Sequence, residues 1–294
     1  GRDDNVEEKT SVYEVIIKDY IKMINSQLHI VPISNNIVSA QVIADTEQVD
    51  AYANKHGKKF EEDGKTGFRM SVDHSIVFER LMRNLDSSIL AFKLIGVNAV
   101  IGLVSKYDGF LGQLVGQIYK DKPEILSGSD KEFKASDILS YANFDELKEL
   151  IAEKEIETLL RKSHTEQLKN LEGKLGVKLD PGKVMPDFVE LMERRNLFVH
   201  SNGVVSRQYI SECKKFGYKV PENVKPGVTL KAEFEYVRSS YRVVFLMGVM
   251  LGAVLWYKIR PNEGKQLISA LSEIAYDLIK DGENELALDV IDFA

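Results

Sequence analysis

Cysteine is almost missing from this chain. Cys213 stands alone in 294 residues, which excludes an intrachain disulfide and a cysteine-based zinc site. A reducing compartment, the cytoplasm, is the expected location. Proline is scarce as well, with seven residues in all and none between Asp73 and Tyr119. The apolar run Val243 to Trp256 spans only fourteen residues between Arg242 and Lys258. A bilayer span needs about 20, so a buried core helix is expected there and no membrane partner. The opening Gly1 to Asn5 is polar, so no secretory leader is expected. Net charge is −6, and 29% charged with 44% hydrophobic residues is the balance of a globular chain.

Several chemistries are also missing. There is no His-Glu-x-x-His, no Glu-x-x-His, no Gly-x-Ser-x-Gly and no Walker loop. His29, His56 and His74 have no carboxylate at ligand spacing, so no metal and no cofactor are expected. Gly109, Gly112 and Gly116 recur at helical spacing, which favours close helix packing over a phosphate-binding turn.

What the sequence does contain is helical periodicity. Val12 to Ile24 is amphipathic, Ile37 to Ile43 reads as a short strand or the start of a helix, and Thr46 to Lys55 reads as a capped helix. Gly57 to Gly67 is charged and Gly-rich, an exposed loop by composition. Residues 1–70 are therefore expected to form a small N-terminal appendage with room for a short strand. From Asp73 to Tyr119 one long helix, or two in tandem broken near Gly96 or Gly102, is expected. Further helices follow at 145–161, 163–176, 184–200, 231–258 and 263–281, with Ser163 as a cap. The fold class is thus mainly α, an up-and-down helical bundle over residues 71–282. Residues 283–294 stop in mid-pattern and are expected to open a longer helical region. The apolar segments around Gly109–Gly112 and Gly248–Gly252 are expected to exceed what one bundle buries and to contribute to a two-fold interface.

The residues with the clearest chemistry are Arg195-Asn196-Leu197-Phe198-Val199-His200, followed by Ser201-Asn202-Gly203. Asn196 and His200 are four apart and share a helix face. Arg195 lies about 140° round the helix from His200, within reach only of a long side chain. Asn202 and Gly203 suit a left-handed cap, so His200 falls in the last turn, where the helix dipole favours its protonated form. A fixed cation, an amide and a near-neutral acid/base are what metal-free cleavage of an RNA phosphodiester requires. Between Leu191 and Val220 six cations (Arg194, Arg195, Arg207, Lys214, Lys215, Lys219) face two acids, Glu193 and Glu212. That local excess is a footprint for a polyanion, with Arg207, Lys214 and Lys215 as RNA contacts. The plain alternative is a helix end whose cation satisfies terminal carbonyls.

Arg195-Asn196-x(3)-His200, its preceding helix, the Ser-Asn-Gly turn and the aromatic Tyr209 resemble the Arg-polar-x(3–5)-His signature of the HEPN superfamily. The text from Glu153-Lys154-Glu155 through Arg161-Lys162-Ser163-His164 to Glu193-Arg194-Arg195-Asn196 resembles bacterial members of that group. The resemblance spans roughly residues 75–280. It implies a helical homodimer in which two motifs face one another, acting as a metal-independent endoribonuclease in antiviral defence, abortive infection or growth arrest. RNA, a second copy, and an antitoxin or sensor protein are the partners it implies. Arg195, Asn196 and His200 would be catalytic, with Arg194, Asp108, His164 and Tyr209 in support. Asp108, on a long helix expected to face the motif helix, would orient the arginine or histidine; alternatively it is a solvated residue. His164 is alternatively structural. Other members of the superfamily are non-catalytic scaffolds that bind RNA, a nucleotide or a partner protein.

Overall fold

The computed structural model describes residues 10–62, 64–130, 132–139 and 143–294, and Gly1 to Asn5 lie outside them. The protein is mainly α, with a small N-terminal appendage that holds a two-stranded antiparallel sheet. Two very long helices dominate. α1 (Val12–His56) and α2 (Val72–Asp121) run antiparallel, joined by the hairpin β1 (Lys58–Glu62) and β2 (Lys65–Arg69). Contacts of Tyr13 with Asp121, Asp45 with Ser88 and Tyr52 with His74 mark their register.

The segment Ile37 to Ile43 is helical, continuous through Pro32, because α2 supports α1 along its length. α2 does not break at Gly96 or Gly102. Both glycines are seats for neighbours: a Cβ on Gly96 would sit 1.7 Å from the Ala232 carbonyl, and one on Gly102 would sit 2.5 Å from Gln27 Nε2. The stretch expected as a loop, 57–67, is mostly strand. Lys58 pairs with Arg69 and Phe60 with Gly67, whose missing Cβ leaves room for the Phe60 ring.

The appendage is smaller than residues 1–70. Tyr13, Ile17, Tyr20 and Ile24 are buried in the main core against α2 and α8 (Phe234–Ile259). That packing also overturns the expected location of spare apolar surface. A Cβ on Gly248 would meet the Tyr20 ring at 2.2 Å, one on Gly252 would meet Ile17 at 2.8 Å, and Tyr20 stacks on Phe110 at 4.3 Å. Gly248 and Gly252 of α8 are covered by α1, and on α2 Phe110 and Leu111 are buried and Gly112 faces Leu160, while Gly109 stays exposed. Exposed apolar side chains lie instead farther along the hairpin, at Ile30, Ile33 and Ile37 on α1 and Leu90 and Leu94 on α2.

α2 and α8 are each long and apolar enough to cross a membrane by length and composition. The most apolar window of α8 is 61% buried, as a core helix should be, whereas that of α2 is 22% buried. The α2 window was inconspicuous in the sequence because Lys93 and Asn98 interrupt it.

Around this core pack α4 (Phe144–Leu160), α5 (His164–Leu175), α6 (Met185–His200), α9 (Gly264–Lys280) and α10 (Asn284–Phe293). Two short helices complete the described residues, α3 (Ala135–Leu139) and α7 (Arg207–Lys215). Ser163 caps α5 in a reciprocal box with Glu166. Leu197, Val205, Tyr209 and Cys213 form a second, smaller core where α7 folds against the end of α6. Burial there pushes the Cys213 thiol up to about 12, beyond reach of ordinary thiol chemistry.

Candidate functional site

The end of α6 is built to hold still. Asn202 and Gly203 are left-handed, at φ 49° and 80°, and the Ser201 and Gly203 amides both donate to the Leu197 carbonyl, at 2.8 and 2.9 Å. This is the expected cap. Residues 203–205 then pair with 227–230: the Leu230 amide donates to the Gly203 carbonyl at 2.9 Å and Val205 donates to Val228 at 2.8 Å. A side chain at position 203 would press on the Leu230 carbonyl at 2.9 Å, so glycine is required twice over, for φ and for space. Leu197 and Phe198 anchor the last turn in the two cores, leaving Val199 and His200 exposed. The His200 side chain has no hydrogen bond or ion pair among the described residues.

Four of the expected side chains converge. Asp108, from α2, accepts or shares a proton with His164 Nε2 through Oδ1 at 2.8 Å, and its Oδ2 lies 3.8 Å from Arg195 Nη2. Arg195 Nη1 in turn donates to Asn196 Oδ1 at 3.2 Å. The chain His164–Asp108–Arg195–Asn196 therefore ties the first residue of α5 and the middle of α2 to the motif helix. His164 is largely buried, its ring edge-on to Phe188 at 6.0 Å. Arg195 Nε is buried without a partner, and such orphaned donors are rare in a finished fold.

Arg194 and Tyr209 lie elsewhere and have other work. Arg194 Nε donates to Glu190 Oε1 at 2.7 Å, its guanidinium stacks 3.8 Å from the Tyr236 ring, and its Nη1 reaches the Lys231 carbonyl. Tyr209 and Tyr236 both donate to Glu190, at 2.7 and 2.8 Å. Glu190 is 3% exposed, so this is a buried, fully partnered carboxylate that stitches α6 to α7 and α8. Arg194 is thereby neutralised and unavailable to a phosphate. The basic excess in the sequence shrinks accordingly: Lys215 is paired with Glu212 at 3.4 Å, whereas Arg207 and Lys214 remain exposed at the two ends of α7.

A cavity of about 410 Å³ opens between α5, α6 and α7. His164 and Asn196 line it, and so do Glu193, Gln208, Glu212 and Phe216. Burial, reinforced by Glu212, pushes the Glu193 carboxyl up from its ordinary value, with His164 opposing. The sequence reading missed Glu193 because a lone Glu among arginines on a helix resembles a surface ion pair. Among the described residues no group of three or more metal-ligating side chains occurs. No protein-family model, curated protein or solved structure matches the chain.

Proposed function

We propose that this chain is a metal-independent endoribonuclease of the HEPN type, working as a two-fold dimer in antiviral defence or growth arrest. The observation that carries the reading is the motif helix itself: Arg195 is positioned by Asp108 and Asn196, five residues before an exposed, unpartnered His200. The imidazole in the last helical turn has no partner to hold, and Arg195, held by Asp108 and Asn196, keeps one donor unpaired.

One copy supplies one such histidine, and the reaction needs two. In a two-fold dimer that pairs the ends of α6, one His200 removes the proton from a ribose 2′-hydroxyl. The 2′-oxygen attacks phosphorus, the bond from phosphorus to the 5′-oxygen breaks, and the second His200 gives that oxygen a proton. The products are a 2′,3′-cyclic phosphate and a 5′-hydroxyl, and no redox partner or metal enters the balance. Arg195 stabilises the charge that builds on the phosphorane oxygens, and Asn196 holds Arg195 in place. Arg207 and Lys214 supply long-range attraction for RNA.

Cleavage of single-stranded RNA by the purified protein in EDTA, with end-group analysis, tests this. His200→Ala should lower the rate by about 10²–10⁴-fold while costing only about 0.3–1 kcal/mol of stability. Arg195→Lys should be severely impaired, since an ammonium lacks the planar fork that grips phosphate. Arg194→Ala should do the opposite and destabilise the fold by about 3–5 kcal/mol, by stranding Glu190. Loss of cleavage on chelation, comparable cutting of DNA, or an unchanged rate in His200→Ala would sink the proposal, and the absence of any cleavage would favour a non-catalytic scaffold.

A further inference from the structure

We propose that the cavity between α5, α6 and α7 binds a guanine-type base, a flat ring with two adjacent N–H donors, next to the phosphate held by Arg195. The inference rests on the ribonuclease reading for the identity of the polymer, and on the cavity alone for the chemistry of the base.

Glu193 lines that cavity, is only partly exposed, and makes no hydrogen bond or ion pair among the described residues. Its neighbour Glu212 adds like charge, and Glu212 already has Lys215 at 3.4 Å. The Glu193 carboxylate therefore opens into the cavity without a protein donor and is free to take donors from a ligand there. An ionised carboxylate accepts and cannot donate, and its two oxygens match two parallel N–H groups. Guanine offers that pair on its Watson–Crick edge, as N1–H and N2–H. Adenine and cytosine present one donor beside an acceptor, and uracil one donor between two acceptors, so each would set a lone pair against Glu193.

The rest of the lining fits the same occupant. Phe216 and Met192 provide apolar wall, and Phe188 closes the floor with no exposure. Unstacked bases are commonly held against aromatic rings and read on their edges. Gln208 adds an amide donor for the keto oxygen. Asn196 lines the cavity while its Oδ1 accepts from Arg195, so the base site and the phosphate site share a residue. The volume, about 410 Å³, lies within the range of small-ligand pockets.

The test is equilibrium binding, which needs no turnover. The whole chain is titrated with 5′-GMP, AMP, CMP and UMP, and separately with Mg²⁺ alone, by calorimetry and by NMR of labelled glutamate. GMP should bind about tenfold or more tightly than the others. Glu193→Gln should abolish that preference while keeping the fold, because it removes an unpartnered charge. Gln208→Ala should weaken GMP with less effect on the preference. Equal affinity for all four nucleotides, a response to Mg²⁺ only, or an unaltered GMP preference in Glu193→Gln would overturn the assignment. Cleavage of RNA without guanine preference would remove the base site and leave the nuclease. GMP-selective binding by a protein that cuts no RNA would do the reverse.

Discussion

Arg194 and Arg195 are neighbours on α6 with different surroundings. The first is enclosed by Glu190 and Tyr236, and the second shares the partly exposed Asp108 and keeps an unused donor. One step along a helix turns a side chain through about 100°, enough to move from core to cleft. Glu190 and Glu193 make the same contrast among acids: three donors satisfy Glu190, and none satisfies Glu193. This difference predicts a pH effect. A carboxyl whose folded-state pKa is raised binds its proton more tightly when folded. The stabilisation this gives is complete below the unfolded pKa and is lost as pH rises through the folded value. Glu193→Gln should therefore have a higher melting temperature than the parent at pH 7, and the gap should close below about pH 4, where the parent is protonated in both states. Thermal melts across that window check it; a gap independent of pH would mean that Glu193 is not held in a carboxylate-hostile setting.

At the scale of elements, the α1–α2 hairpin is the least expected feature. α1 continues through Pro32, which has no amide hydrogen to offer the Leu28 carbonyl. An interior proline costs a helix about 3 kcal/mol relative to alanine, so packing against α2 must outweigh it. Pro32→Ala should restore the bond and slow amide hydrogen exchange around residues 28–36, by up to about that free energy. The effect should be local, because the exposed proline lies beyond the most tightly packed part of α1. Unchanged protection would mean that the helix already adjusts there at no cost. The same hairpin explains why the cleft exists. α2 brings Asp108 to the motif helix only because α1 holds it in the core from the other side, through Tyr20 stacked on Phe110.

Over the whole molecule, the exposed Ile30, Ile33 and Ile37 recur at helical spacing on α1, with Leu90 and Leu94 exposed on α2. Where such side chains form one patch, the patch commonly marks an interaction surface. A composite active site requires two copies, so light scattering at micromolar concentration should give twice the chain mass. A strict monomer would remove the two-histidine mechanism, whatever the fate of the base site.

Helical text, the cap at Asn202-Gly203, the Ser163 cap and the core character of Val243 to Trp256 were legible in the sequence by itself, because each depends on residues within a turn or two of one another. The motif Arg195-Asn196-x(3)-His200 was legible for the same reason: its geometry is that of one helix. Three matters were decided only by the tertiary structure. Pro32 and the charged, Gly-rich stretch 57–67 argue locally against regular structure, and the packing of a long neighbour and a cross-strand register overrode them. The sharing of Asp108 between His164 and Arg195 joins residues 56 and 87 positions away from it, a juxtaposition that no periodicity encodes. The fates of Arg194 and Glu193 depended on Glu190, Tyr209 and Tyr236 meeting on one side of α6 and an open cavity lying on the other. A charge is visible in sequence, but its partner is a property of the fold.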